Sequence, residues 1–398
     1  MKSTVQTRKK MQTSLFELED WNKEILEDIK LRNKDVTDLV VYSRDWTVET
    51  IENQIKKGNI NLNPKFQRRN AWNDERRSKL IESLIIGIPV PEIVLAEDVT
   101  KKKSFIIIDG KQRLLTIAGF MNPNIKYWDK AYLTKLRVRK DLNGVSYAKL
   151  LSNKYSEEHR QFLNADIRCT IIASYSSTDI LYDIFYRLNA GSAPLSTQEL
   201  RQVLNKGAFA DYLIQITNKT QPIHKILRLD EPDPRLRDVE IILRFLSFQF
   251  FGSKYEGNLK KFLDDSMEKI TKYWQDYEPK VINYYDQFNK AIHKLIKVFS
   301  SERVGRKFVD GKWEWRFNKV LFEVEVYYFM QIPLNVLTEI KRKEFLKEFK
   351  IMCNKNVDFR KSIEATTKTV ERYEDRFLIF EDLINKVFDT NVNIMPFK

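Results

Sequence analysis

The chain has 398 residues, 42% of them hydrophobic and 31% charged, a balance that describes a soluble globular protein with enough residues for two or three ordinary domains. Lys and Arg outnumber Asp and Glu by 69 to 55, a net charge of +14; clustered, this excess suits a polyanion such as nucleic acid, and dispersed it is a solvated surface. The two cysteines, Cys169 and Cys353, form no metal or disulfide framework, and no run approaches the ~18 apolar residues of a membrane span, so a reducing cytoplasm and no membrane are expected.

The first 14 residues hold four bases and no acid, and no apolar stretch follows them. This predicts a flexible N-terminal arm over 1–45 rather than a secretory signal. From Trp46, "WTVETIENQIKKG" sets Val48, Ile51 and Ile55 at helical spacing and stops at Gly58. A second helix is predicted over about 74–86, capped by Asn73 or Asp74 and stopped by Gly87 to Pro91. Two β-rich runs, "EIVLAED" and "SFIIID", flank a turn with Lys101 to Lys103 and read as a hairpin. "KQRLLTIAGF" then returns to helical spacing.

Farther on, "KLRVRKDLNG" and "DIRCTIIASY" read as strands and "DILYDIFYRLNAG" as a helix ended by Gly191. Beyond Thr197 the pattern is helical, with segments at 238–251, 257–276, 279–300, 342–353 and 369–388. "FVDGKWEW" interrupts them with the Asp310-Gly311 dipeptide of a tight hairpin. The predicted organisation is an arm over 1–45, an α+β domain over 46–205 and a helical domain over 206–398.

The chemistry concentrates in "FIIIDGKQRLLTI", at a strand-to-helix junction. A helix start presents unpaired N–H groups and the positive end of its dipole, and Gly110 admits a ligand close to the backbone. Lys111 and Arg113 add full charges to the same turn, a combination that suits phosphate. Asp109 can hold Mg²⁺, orient an arginine or accept a proton from water, and Gln112 can donate and accept at once. A bland alternative is that Asp109 caps the helix and the bases are solvated.

Two clusters add to this set. "FQRRNAWN" brings Gln67, Arg68, Arg69 and Trp72, donors and an indole with no evident core to serve. "YRLNAGSAPLSTQELRQ" brings Arg187, Asn189, Gly191, Gln198, Glu199 and Arg201.

The ordered set "FQRRNAW", "LIESLIIGIPVPEIVL", "IIIDGKQRLLTI" and "IFYRLNAGSAPLSTQELR" resembles the N-terminal domain of GmrSD-type, modification-dependent restriction systems. That resemblance implies a ParB/sulfiredoxin-like fold, nucleoside triphosphate binding and hydrolysis, and a role in restriction or anti-phage defence. Asp109, Gly110, Gln112 and Arg113 match the family's Asp-Gly-Gln-Gln-Arg motif, and Gln67-Arg68 match its upstream Gln-Arg pair. Lys111 stands where the motif has its first Gln, exchanging an amide that accepts and donates for a cation that only donates. Many relatives carry a C-terminal His-Asn-His nuclease, whereas His159, His224 and His293 are scattered here, and the last two read as structural. No fused nuclease of that type is expected.

The leading expectation is therefore a nucleotide-binding, DNA-associated module with an α+β then helical fold. Gln67, Arg68, Gly110, Lys111 and Arg113 would hold phosphates. Asp109, Gln112 and Arg113 would be catalytic, with Asp109 on Mg²⁺ or water, and Asn189 and Arg201 would give support. A partner nuclease or methyltransferase chain would act on the DNA. A second reading is a non-catalytic DNA-binding or adaptor protein, in which Tyr273, Trp274, Trp313 and Trp315 stack on bases. A third is a metal-dependent nuclease using the same pocket, for which no paired carboxylates are evident.

Overall fold

The computed structural model describes residues 28–29, 39–62, 72–125, 127–189, 196–364 and 367–392. The chain divides into one compact unit within residues 29–204 and another that joins Asp28 to residues beyond 204.

Four strands form the sheet of the first unit: β1 (Val40–Thr47), β2 (Ile93–Glu97), β3 (Phe105–Asp109) and β4 (Asp166–Ala173), in the order β1-β4-β2-β3. β1 runs antiparallel to β4 and β2 antiparallel to β3, while β2 and β4 are parallel, with Ile93 opposite Cys169. Residues 40–45, expected in the arm, are thus the first part of β1, where every residue opposes one of β4.

β2 and β3 are covered on both faces, whereas β1 is largely exposed. Ile93, Leu95, Ile107, Ile167, Cys169 and Ile171 face one core. It also takes residues from α1 (Val48–Lys56), α2 (Asp74–Ile85), α3 (Lys111–Met121) and α4 (Ser156–Asn164). Val94, Ala96, Ile106, Ile108 and Ile172 face a second core with α5 (Thr178–Asn189) and α6 (Thr197–Leu204). Two-sided burial explains why "IVLA" and "FIII" are unbroken apolar runs rather than alternating ones. Local chemistry sets the helix ends as expected. Thr47 Oγ1 accepts from Thr50 N at 3.1 Å and Asn73 Oδ1 from Arg76 N at 2.9 Å, and Gly58 follows α1 at φ +68°.

One expected strand is absent. "KLRVRKDLNG" is irregular, with a 3₁₀ turn at Lys140–Leu142; Leu136 and Leu142 are buried and Val138 is exposed. Its amides find side chains instead of a neighbouring strand: Leu136 N donates to Asn143 Oδ1 at 2.9 Å and Arg139 N to Glu82 Oε1 at 2.7 Å. The alternating pattern was real, but it follows two buried leucines in a loop.

The second unit contains α7 (Ala208–Thr217), α8 (Arg237–Phe251), α9 (Leu259–Lys272), α10 (Trp274–Phe299), α11 (Lys319–Gln331), α12 (Glu339–Lys355), α13 (Val357–Glu364) and α14 (Val370–Phe388). The hairpin of β5 (Phe308–Val309) and β6 (Lys312–Trp313) turns through Asp310 and Gly311 at φ +48° and +79°. The expected break near Pro279 falls instead at Tyr273, and α10 carries Pro279 inside it at the loss of one ladder bond. His224 is fully buried, taking Gln221 N on Nδ1 at 2.7 Å and facing Asp238 Oδ2 from Nε2 at 2.8 Å, a structural role. His293, expected to be structural as well, is exposed beside Lys290, Lys294 and Lys297.

Candidate functional site

The junction forms as its sequence predicts. Ile106, Ile107 and Ile108 are buried in β3, and α3 begins at Lys111 directly after Gly110. Gly110 is left-handed, φ +95°, and gives α3 no side-chain cap. The first ladder bond runs from Leu114 N to Gly110 O at 3.0 Å, so the amides of Lys111, Gln112 and Arg113 precede the ladder. A Cβ on Gly110 would lie 3.0 Å from Ile93 Cγ1 and 3.3 Å from both Ile93 Cα and Arg113 Nη2, so β2 passes hard against the turn.

Asp109 and Arg113, one helical turn apart, form an ion pair at 2.7 Å through Oδ2 and Nη2. The same Nη2 donates to Glu92 O at 2.8 Å. Only 11% of the Arg113 side chain is exposed, against 30% for Asp109. Glu92 is held in turn by Thr170 Oγ1, which donates to its Oε2 at 2.7 Å. Two polar atoms here are buried without a partner among the described residues, Arg113 Nε and Gln112 Oε1.

α6 reaches the same place, because it packs against β3. Lys111 Nζ lies 3.9 Å from Glu199 Oε1, both side chains largely buried. Glu199 also closes a capping box: its Oε2 accepts from Ser196 N at 2.8 Å and its N donates to Ser196 Oγ at 3.1 Å. Arg201 is wholly buried and donates to Gln198 Oε1 at 2.8 Å. Asp109, Gly110, Lys111, Gln112 and Arg113 are thus one turn, tied to α6 through Glu199.

Gln67, Arg68, Arg69, Gly191 and the Asn189 side chain lie outside what is described. Arg187 is exposed and pairs with Asp183 at 2.7 Å. Trp72, expected to have no core to serve, packs against the first core, and the Arg76 guanidinium lies 4.4 Å over its ring. One member, the Glu92 carbonyl, was not foreseen, nor was the pairing of the candidate Glu199 with Lys111. The Glu92 carbonyl carries no side-chain signal at all, whereas Glu199 as partner of Lys111 is signalled only by the Ser-x-x-Glu spacing that makes it a cap.

The turn offers an anion backbone N–H groups, a dipole and two cations. For a metal it offers Asp109, whose Oδ1 is left over after the bond to Arg113. Mg²⁺ is commonly held by one or two carboxylates plus substrate phosphates, and a carboxylate oxygen with no bond from the described residues, beside a helix start, would fit that need. Among the described residues no group of three metal-ligating side chains occurs, and no helix is long and apolar enough to cross a membrane. Cys169, in β4 opposite Ile93, is buried, and burial pushes its thiol up to about 12, which disfavours the reactive thiolate.

Residues 48–205 match the family model described as "GmrSD restriction endonuclease, N-terminal domain". No curated protein matches the chain.

Proposed function

Residues 48–205 are a domain of the GmrSD restriction endonuclease N-terminal family, and from that premise we propose that the chain is a nucleotide-binding module of a restriction or anti-phage defence system that hydrolyses the triphosphate it holds in the cytoplasm. The observation that carries this reading is the uncapped start of α3 with two buried atoms beside it that have no partner among the described residues. An unmet buried polar atom costs about 1–3 kcal/mol. Among the described residues Arg113 Nε has no acceptor and Gln112 Oε1 no donor. A nucleotide supplies both kinds of group, through its phosphate oxygens and through its ribose hydroxyls or base amines.

In this proposal the amides of the first turn, Lys111 and Arg113 hold phosphate, with Gln67 and Arg68 adding donors from the upstream segment. Asp109 keeps Arg113 pointed along β2 and presents Oδ1 to Mg²⁺ or to the attacking water. Bound Mg²⁺ would neutralise phosphate charge. Gln112 orients the ribose, base or water. Arg201 supports α6 from inside the core, and Asn189 supports the adjoining helix end. DNA would be cleaved or modified by a partner nuclease or methyltransferase chain.

A second reading, binding without turnover, is favoured by the Lys111–Glu199 and Asp109–Arg113 pairs, which neutralise the site's own charges. Titration calorimetry with the four nucleoside triphosphates tests the common part. Arg113→Ala is expected to lose about 1.5–3 kcal/mol of binding, roughly ten- to a hundred-fold. Equal affinity in variant and wild type would sink the phosphate role. Phosphate release with and without DNA separates the two readings, since the second requires none.

A further inference from the structure

A groove along α12 is lined by none of the residues of the proposed nucleotide site. Its volume is about 630 Å³; its floor is Phe308, Leu346 and Ile351, and its rim is Lys343, Lys347, Lys350 and Lys355. Three of these lysines follow i, i+4, i+7 spacing, which stacks them on one face of a helix. The β5–β6 hairpin forms the wall and is fastened to α12, because Asp310 N donates to Asn354 Oδ1 at 3.1 Å.

The rim charge is cancelled only in part. Lys343 pairs with Glu339 at 2.7 Å, but the other acids of α12 turn to bases off the groove, Glu344 to Lys341 at 3.7 Å and Glu348 to Lys386 at 2.7 Å. Lys347 and Lys355 form no ion pair among the described residues. Lys350 Nζ sits on aromatic faces, 4.8 Å from the Phe308 ring centroid and 5.9 Å from that of Trp313. Like charges one turn apart on a helix repel each other. The stripe is therefore kept against its own repulsion.

We infer that this groove binds the sugar-phosphate backbone of DNA, fixing position without reading bases. Lysines are compact point charges that suit a repeating phosphate, and none is arranged in the planar fork that reads a base edge. An acidic amphipathic peptide would need a longer run of apolar anchors than a floor of three side chains provides. The inference rests on charge and groove geometry, not on nucleotide binding.

The test is fluorescence anisotropy of a short labelled duplex with the full chain, without nucleotide, across a salt series. Changing Lys347→Gln, Lys350→Gln and Lys355→Gln together is expected to reduce the slope of log K against log salt by about 0.9 for each phosphate that is no longer neutralised, about 2–3 in all. A charge-matched control, Lys261→Gln with Lys272→Gln and Lys280→Gln, removes exposed lysines of α9 and α10 and is expected to keep the wild-type slope. Matching thermal melts for both variants establish that each is folded. An unchanged slope in the groove variant, or an equal decrease in the control, overturns the inference. So does polyglutamate binding that outcompetes DNA and disappears with the groove lysines, which would assign the groove to an acidic protein.

Discussion

Gly110→Ala strikes the site at its narrowest point. The backbone there holds φ +95°, which an L-residue adopts at a cost of about 1 kcal/mol. The new Cβ would also meet Ile93 Cγ1 at 3.0 Å and Ile93 Cα at 3.3 Å. The side-chain atom can give by a few tenths of an ångström. The Cα cannot, because Ile93 opens β2, which is bonded to β4 on one side and β3 on the other. Overpacking of this kind costs about 1–3 kcal/mol, so the total is about 2–4 kcal/mol. Gly58→Ala is the control: φ is +68° and nothing lies within 4 Å of its Cβ, so it carries only the conformational cost of about 1 kcal/mol. Calorimetry reads both, with hydrogen exchange at Ile106 to Ile108 identifying which transition belongs to this unit. At roughly 2–4 °C per kcal/mol for a unit of this size, Gly110→Ala should melt about 5–15 °C below wild type and well below Gly58→Ala. Because the Cβ also crowds Arg113 Nη2 at 3.3 Å, nucleotide affinity should fall with stability. Equal melting of the two alanine variants would refute the close approach of β2 to the turn.

The other predictions concern charge and reactivity. Glu325 is fully buried, and burial raises its carboxyl to about 8 despite the Gly305 N–H and the nearby Arg306. A folded-state value above the unfolded one makes stability greatest below about 4.5 and lost as pH rises through about 8, at up to about 1.4 kcal/mol per pH unit. Denaturation midpoints at pH 5 and pH 8 should show that loss in wild type and little of it in Glu325→Gln; parallel profiles would contradict it. Asp109→Ala leaves the nearly buried Arg113 with the Glu92 carbonyl as its one partner among the described residues and should destabilise the first unit by about 1–3 kcal/mol while abolishing any phosphate release; retained release would remove Asp109 from the chemistry. Lys111→Gln should raise phosphate release if the lysine has turned the motif into a sensor, and no change in a colorimetric phosphate assay would argue against that. Cys169 and Cys353, both pushed up to about 12 by burial, should resist a thiol reagent at pH 8 until denaturant is added.

Much of this molecule follows from patterns a few residues long. The continuous "FIII" run ending at Asp109-Gly110, the Asn73 cap, the Gly58 stop and the Asp310-Gly311 turn each act through their own backbone, so the elements they define are readable without a fold. The strand order β1-β4-β2-β3 is not local, and what depends on it was not readable. It brings the Glu92 carbonyl under Arg113 and lets α6 carry Glu199 to Lys111 across 88 positions of sequence. It also leaves the alternating residues 135–144 without a strand to pair with. Aromatic residues beside bases were equally ambiguous in sequence. Trp274 packs with Phe209 and Tyr212, and Trp313 stacks on Phe349, while Tyr273 and Trp315 are exposed, Trp315 beneath the Arg228 guanidinium. Composition and local spacing determine which residues form helices, strands and turns; burial and partner choice are settled by which elements pack together, because desolvation and ion pairing depend on neighbours that the chain brings from far away.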